Sequence, residues 1–237
     1  VPWDQFSELF LRSHKAGEHV SVVGTTGSGK SVLMFELCRL LAKRKVKNNR
    51  PASVAVLANK PRDATLMKLH KEGWPIVKKW PPAYGQEHCI VWPRGGPPSG
   101  RARRLAQVYR PLLDRIYSEG NQTVCIDEAS YFERPLPNGL GLHGVMEEYW
   151  TSARSSKLSL IAGTQRPRRV TRSMWSEPSW LFVFRPDDID DLKRVAELSG
   201  QRLEVMAAAP RLGGHEFLIV RRQRAGAYAL YVSKVGT

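Results

Sequence analysis

Short, mostly apolar runs recur along the chain, separated by longer stretches whose apolar residues fall three and four apart. The runs are His19–Val23, Ser53–Ala58, Cys89–Trp92, Thr123–Ile126, Leu158–Ala162 and Trp180–Phe184, with a weaker one at Ile76–Lys79. Runs this short and this apolar predict buried strands. Leu33, Leu37, Leu40 and Leu41 repeat at helical spacing and predict a helix from Ser31 to about Lys45. Further helices are predicted over Ala64–Glu72, Leu105–Glu119, Val145–Arg154 and Asp187–Leu198. Pro111 predicts a kink or break within Leu105–Glu119. Residues 1–18 read as an amphipathic lead-in, with Phe6, Leu9 and Phe10 on one face and Gly17 as the break. Glu216–Arg222 and Ala227–Ser233 read as a hairpin turning at Arg224-Ala225-Gly226. Strand and helix patterns that alternate predict an α/β fold, a mostly parallel central sheet flanked by helices and closed by the C-terminal β-hairpin. No linker is long enough to divide the chain, so residues 1–237 are expected to form one domain.

Composition adds one strong signal. Hydrophobic residues make up 42% and charged residues 25%, which is ordinary for a globular chain, but the formal net charge is +15. That excess of Lys and Arg predicts a polyanionic partner, either nucleic acid or an anionic membrane surface. Cys38, Cys89 and Cys125 lie far apart without a C-x-x-C pair, which argues against a disulfide framework or a zinc site. Cys38 and Cys125 fall in apolar patterns and are expected to be buried, as fits a reducing compartment. No apolar run approaches the ~18 residues of a membrane span, and no signal-peptide pattern opens the chain. A cytoplasmic location is expected.

The first apolar run leads into Gly24-Thr25-Thr26-Gly27-Ser28-Gly29-Lys30-Ser31. This is the G-x-x-x-x-G-K-[ST] phosphate loop in its strand–loop–helix setting. The glycines let backbone N–H groups close around a triphosphate, and the helix that follows aims its positive end at the anion. Lys30 is expected to reach the β- and γ-phosphates of ATP, and the Ser31 hydroxyl to bind Mg²⁺.

Thr123–Ile126 ends in Asp127-Glu128. Phosphoryl transfer to water needs one carboxylate near the metal and one near the nucleophile. Asp127 is expected to face Mg²⁺ and Glu128 to act as general base. The Leu158–Ala162 strand leads to Gly163-Thr164-Gln165-Arg166-Pro167, where Gln165 is placed to sense the γ-phosphate or orient water. Arg154 follows Asp127 by 27 positions, at the end of a predicted helix. An arginine there could neutralise the γ-phosphate on a neighbouring subunit, although a solvated helix-end arginine would look the same.

These motifs resemble the FtsK–HerA family of RecA-like DNA-translocating ATPases, and within it the small genome-packaging ATPases of bacterial viruses. Gly24–Ser31 is similar to the family's Walker A, and Thr164-Gln165-Arg166-Pro167 to its T-Q-R-P signature. Lys60-Pro61-Arg62-Asp63 resembles the segment after the second strand, where the family often has a lysine. Glu216-Phe217-Leu218-Ile219-Val220 resembles its late strand. The resemblance implies that the Gln165 strand lies between the Walker A and Walker B strands. It also implies a homo-oligomeric ring, hexamer or pentamer, with DNA in the channel, and a trans-acting Arg154. Ala58-Asn59-Lys60 departs from the Asp-Pro-Lys common in chromosome translocases. The sequence lacks their membrane-spanning portion and winged-helix module, which favours a soluble packaging motor or a trimmed motor domain, with a viral capsid or portal vertex as a candidate partner.

Sequence-independent grip on double-stranded DNA comes from phosphate contacts. Two basic loops qualify, Pro93–Arg104 with Arg94, Arg101, Arg103 and Arg104, and the segment with Arg166, Arg168, Arg169 and Arg172. Tyr131–Gly144, with Arg134 and His143, is a sparser third. The expected activity is ATP-driven translocation of duplex DNA. The competing readings are a conjugative or plasmid DNA motor, a small-molecule kinase on a P-loop scaffold, and a slow nucleotide-dependent switch.

Overall fold

The computed structural model describes residues 1–45, 52–81, 87–94, 97–222 and 228–235. Helix α1 (Trp3–Ser13) precedes β1 (Val20–Val23) and α2 (Lys30–Ala42); β2 (Ser53–Leu57), α3 (Ala64–Lys71), β3 (Ile76–Val77) and β4 (His88–Val91) follow. Then come α4 (Arg101–Glu119), β5 (Gln122–Ile126), α5 (Ala129–Glu133), α6 (His143–Thr151) and β6 (Ser159–Thr164). The chain closes with α7 (Ser173–Ser176), β7 (Trp180–Phe184), α8 (Ile189–Ser199), α9 (Arg202–Ala208), β8 (Glu216–Arg222) and β9 (Tyr228–Lys234). The hairpin turn expected at Arg224-Ala225-Gly226 lies outside the described residues.

The strands form one sheet in the order β3-β4-β2-β5-β6-β1-β7-β8-β9. Strands β1 to β7 pair in parallel, while β8 and β9 are added antiparallel to β7. Both faces are covered, which is why the central strands read as unbroken apolar runs. Val124 and Ile126 of β5 join a core with Leu105, Tyr109 and Leu113 of α4 and Trp150 of α6. Cys125 between them points the other way, into a core with Leu33, Leu37 and Cys38 of α2 and Phe6 and Phe10 of α1. Cys38, Cys89 and Cys125 are all free and buried.

Three expectations are corrected. Helix α4 continues through Pro111, so the chain does not break there. Pro111 and Gln107, one turn before it, both lie on the exposed face, where the loss of an intrahelical donor costs least. The same helix begins at Arg101, so Arg101, Arg103 and Arg104 stand on its first turn and not in a loop; Gly100, at φ 71°, makes the left-handed entry. Helix α2 stops at Ala42, and Arg44 donates to the Leu11 carbonyl of α1, 2.8 Å away. Arg44 therefore docks the lead-in helix as well as standing near the end of α2.

The seven parallel strands, β1 to β7, deliver their C-terminal ends to one edge of the sheet. Open α/β sheets bind ligands along that edge.

Candidate active site

β1 passes into the phosphate loop at Gly24, whose N–H donates to the Thr164 carbonyl across 3.3 Å. Gly29 sits at φ 100°, a left-handed conformation that suits glycine, and α2 starts on the next residue, Lys30. Thr26, Gly29, Lys30, Lys60, Gln165 and His215 are among the residues bounding a cavity of about 250 Å³ in front of that helix. This is the anion-binding arrangement expected of a loop that feeds a helix N-terminus.

One aspartate organises the base of the cavity. Asp127, at the end of β5, is 6% exposed. Its Oδ1 accepts from Lys30 Nζ at 2.6 Å and from Ser31 Oγ at 2.7 Å, and its Oδ2 accepts from Lys60 Nζ at 2.7 Å. Lys30 Nζ also donates to the Asp127 carbonyl at 2.8 Å. Burial pushes the Asp127 acid upward, but Lys30 and Lys60 outweigh it and hold the group well below the usual carboxylate range. Lys60 responds in kind: burial lowers it, and the Asp127 and Asp63 carboxylates together more than offset this and raise it. Asp127 and Ser31 thus present hard oxygen donors side by side, the chemistry that Mg²⁺ prefers.

Glu128 faces the neighbouring strand. Its carboxylate accepts from Ser130 Oγ at 2.7 Å, Thr164 Oγ1 at 2.8 Å and the Gln165 N–H at 3.2 Å. The Gln165 side chain reaches back to the phosphate loop, its Oε1 accepting from Thr26 Oγ1 at 2.9 Å. β6 lies between β5 and β1 in the sheet, so its tip bridges the acids and the phosphate loop. Gly163 lets it fit, since a Cβ there would lie 2.6 Å from Met34 Sδ and 2.9 Å from the Asp127 carbonyl. Gly163→Ala is expected to cost about 1–3 kcal/mol of stability through overpacking and to weaken nucleotide binding by displacing Lys30. Thermal denaturation and an ATP titration check both effects.

Lys30, Ser31, Asp127, Glu128 and Gln165 are therefore brought together, with Gly24, Thr25, Thr26, Gly27, Ser28 and Gly29 forming the loop around them. Arg154 is not. It stands exposed in a 3₁₀ turn before β6, at the opposite edge of the sheet. The six residues of β6 put about 20 Å of strand between that turn and Gln165.

The basic residues divide. Arg94 lies 3.7 Å over the Trp92 ring, Arg101 donates to the Asn59 carbonyl at 2.8 Å, and Arg104 donates to the Ser99 carbonyl at 2.9 Å and to that of Pro97. These three brace the segment against its surroundings; Arg94 and Arg103 are exposed, and Arg101 and Arg104 are half-buried. Arg166, Arg168, Arg169 and Arg172 are all exposed, directly after Gln165, and Arg168 lies 3.4 Å from Asp190.

Sequence reading assigned no site role to Lys60 or His215. Lys60 follows β2, which pairs with β5, so strand order alone carries it to Asp127. His215 adopts φ 61°, with Nδ1 3.3 Å from the Ser28 carbonyl. The Gly213-Gly214-His215 run before β8 was the available signal for a special backbone there.

No protein-family model matches the chain, and no curated protein sequence matches it. Solved structures do. The DNA-packaging ATPase B204 of Sulfolobus turreted icosahedral virus is similar over 92% of this chain and 98% of its own, at TM-score 0.63 and 15% identity. The genome-packaging NTPase B204 of Sulfolobus turreted icosahedral virus 2, in complex with ATPγS, is similar over 92% and 98%, at TM-score 0.62 and 16% identity. The cytoplasmic domain of the type VII secretion ATPase EccC of Thermomonospora curvata covers 94% of this chain but only 26% of its own, at TM-score 0.58 and 16% identity. The expected fold class stands: the chain shares the fold of these solved structures, a mostly parallel sheet flanked by helices with an antiparallel C-terminal pair.

Proposed function

We propose that the chain is an ATP-hydrolysing motor domain that moves double-stranded DNA, and that its role is genome packaging. The observation that carries this is the convergence on one sheet edge of Lys30, Ser31 and Asp127 with Glu128 and Gln165. Nearly full-length similarity to B204, which is described as a DNA-packaging ATPase and has been solved with ATPγS, supports it. The net charge of +15 supports a polyanionic partner.

In this reading residues 1–237 act as one unit. The N–H groups of Gly24–Ser31 cradle the triphosphate, and Lys30 moves from Asp127 to the β- and γ-phosphates. Ser31 and Asp127 would hold Mg²⁺, which neutralises phosphate charge when bound. Lys60 keeps Asp127 ionised while Lys30 is engaged elsewhere. Glu128 takes a proton from water as it attacks the γ-phosphate, once its oxygens turn from Thr164 and the Gln165 N–H. Gln165 reports the state of the γ-phosphate to the arginines that follow it. Arg154, at the opposite edge of the sheet from its own site, serves that of the next subunit in a ring. Among the described residues no helix is long and apolar enough to cross a membrane.

The test is ATP turnover by the assembled protein, with and without duplex DNA, at low salt. DNA is expected to raise turnover irrespective of its sequence. A rate indifferent to DNA would overturn translocation, and phosphate release only with a small acceptor would point to a kinase.

A further inference from the structure

Behind the exposed arginines lies a second cluster that ATP chemistry leaves unused. Glu133 ends α5, the one-turn helix that begins directly after Glu128. It is 5% exposed. Its Oε2 accepts from the Thr171 N–H at 2.6 Å, while its Oε1 is buried and has no hydrogen-bond partner. Glu147 of α6 takes the other side of the same residue, accepting from the Thr171 hydroxyl and from Ser173 Oγ. His143, at the start of α6, brings Nδ1 to 3.6 Å from Glu133 Oε2. Glu133, Arg134, His143, Arg168, Arg169 and Thr171 are among the residues lining one cavity of about 720 Å³.

The basic segment after Gln165 is therefore fastened at both ends to a single short stretch of chain. Glu128 holds its start at Thr164 and Gln165, and Glu133 holds its end at Thr171. Two loops that stand apart in sequence, 134–143 and 166–171, meet across that fastening with their cations facing one hollow. We propose that Glu133 is a positioning residue that pins Thr171, and that the cavity it backs, faced by Arg134, His143, Arg168 and Arg169, is a seat for backbone phosphates of duplex DNA. The proposal rests on the motor reading.

Charge makes it testable. Burial pushes the Glu133 acid up to about 8; the Thr171 N–H opposes this, and Glu147 adds to it. The groups facing Glu133 are Glu147 and His143 from α6, Arg134 from its own side, and Arg168 and Arg169 from the segment after β6. Below the raised value the carboxyl is neutral and does not oppose a phosphate. Above it a negative charge stands at the back of the seat.

The experiment measures the affinity of a labelled 30-base-pair duplex from about pH 6.5 to 9.5, at fixed salt, for the assembled wild type, Glu133→Gln and Glu133→Ala. Amide exchange at Thr171 is followed in parallel. Wild-type affinity is expected to fall more than that of Glu133→Gln above pH 8, the gap opening to about threefold to tenfold. The arginines are charged throughout this range in both proteins and cancel from the comparison, and repeating it in a His143→Ala background removes the imidazole that lies beside Glu133. Thr171 exchange is expected to stay slow in wild type and Glu133→Gln and to quicken in Glu133→Ala. Parallel pH profiles with DNA bound would overturn the seat alone, and unchanged Thr171 exchange in Glu133→Ala would overturn the pin. Failure of the assembled wild type to bind duplex at low salt would remove the motor reading and the seat together.

Discussion

Arg154→Ala is expected to lower ATP turnover by about 10³–10⁵-fold, the range for losing an arginine that neutralises transferring phosphate. ATP affinity should change little, because Arg154 lies beyond the far end of β6 from the phosphate loop of its own chain. The fold should survive the change. Arg154 is exposed, and its carbonyl accepts from the Lys157 N–H at 3.0 Å, a backbone bond that alanine leaves in place. The decisive measurement mixes Arg154→Ala with Lys30→Ala, each inactive alone. In a ring, an Arg154→Ala subunit keeps an intact phosphate loop, and a Lys30→Ala neighbour still offers its arginine. With equal mixing about a quarter of the interfaces regain both parts, and turnover should return in proportion. Mixtures as inactive as either variant would sink the trans assignment, whereas full activity in Arg154→Ala alone would make the residue a solvated surface arginine.

The central sheet was readable because its strands are covered on both sides. Val20–Val23 and Trp180–Phe184 are buried throughout, so their runs are apolar apart from Ser21, which is itself buried. The chemistry of Lys30, Ser31, Asp127 and Glu128 was readable for a different reason: Asp127 and Glu128 directly follow such a strand, and Lys30 and Ser31 close the phosphate loop that follows another, on the edge where parallel sheets bind ligands. Less was legible where long-range partners decide the structure. The start of α4 at Arg101 depends on the left-handed Gly100 and on Arg104 tying back to Ser99, neither of which leaves an apolar period. Helix α5 has five residues, too few for periodicity to register, and α9 has seven. Lys60 meets Asp127 across 67 positions of sequence and Glu133 meets Thr171 across 38, so both pairs follow from strand order. Pro111 misled because its effect depends on which helix face it occupies, and it occupies the wet one.

Adjacent in sequence, Asp127 and Glu128 should fail in different ways when neutralised. Glu128→Gln keeps the shape and the acceptor oxygen that can meet Thr164 and Ser130 but loses the base, so hydrolysis should drop by about 10²–10⁴-fold while ATP still binds. Single-turnover hydrolysis beside equilibrium binding of ATP checks this; a loss confined to affinity would remove Glu128 from the general-base role. Asp127→Asn should instead weaken binding and stability together. It leaves Lys30, 4% exposed, with its charge uncompensated and Lys60 close by. The pH dependence separates this from ordinary packing damage. Asp127 is held below the usual carboxylate range in the folded protein, so it favours folding most at pH above its unfolded value of about 4. That contribution fades as pH falls toward the depressed folded value. Wild type should therefore be the more stable of the two at neutral pH, and the gap to Asp127→Asn should close only in acid. A gap that stayed constant from pH 7 down through the unfolded carboxylate range would show that the lost interaction was not the charge pairing among Asp127, Lys30 and Lys60.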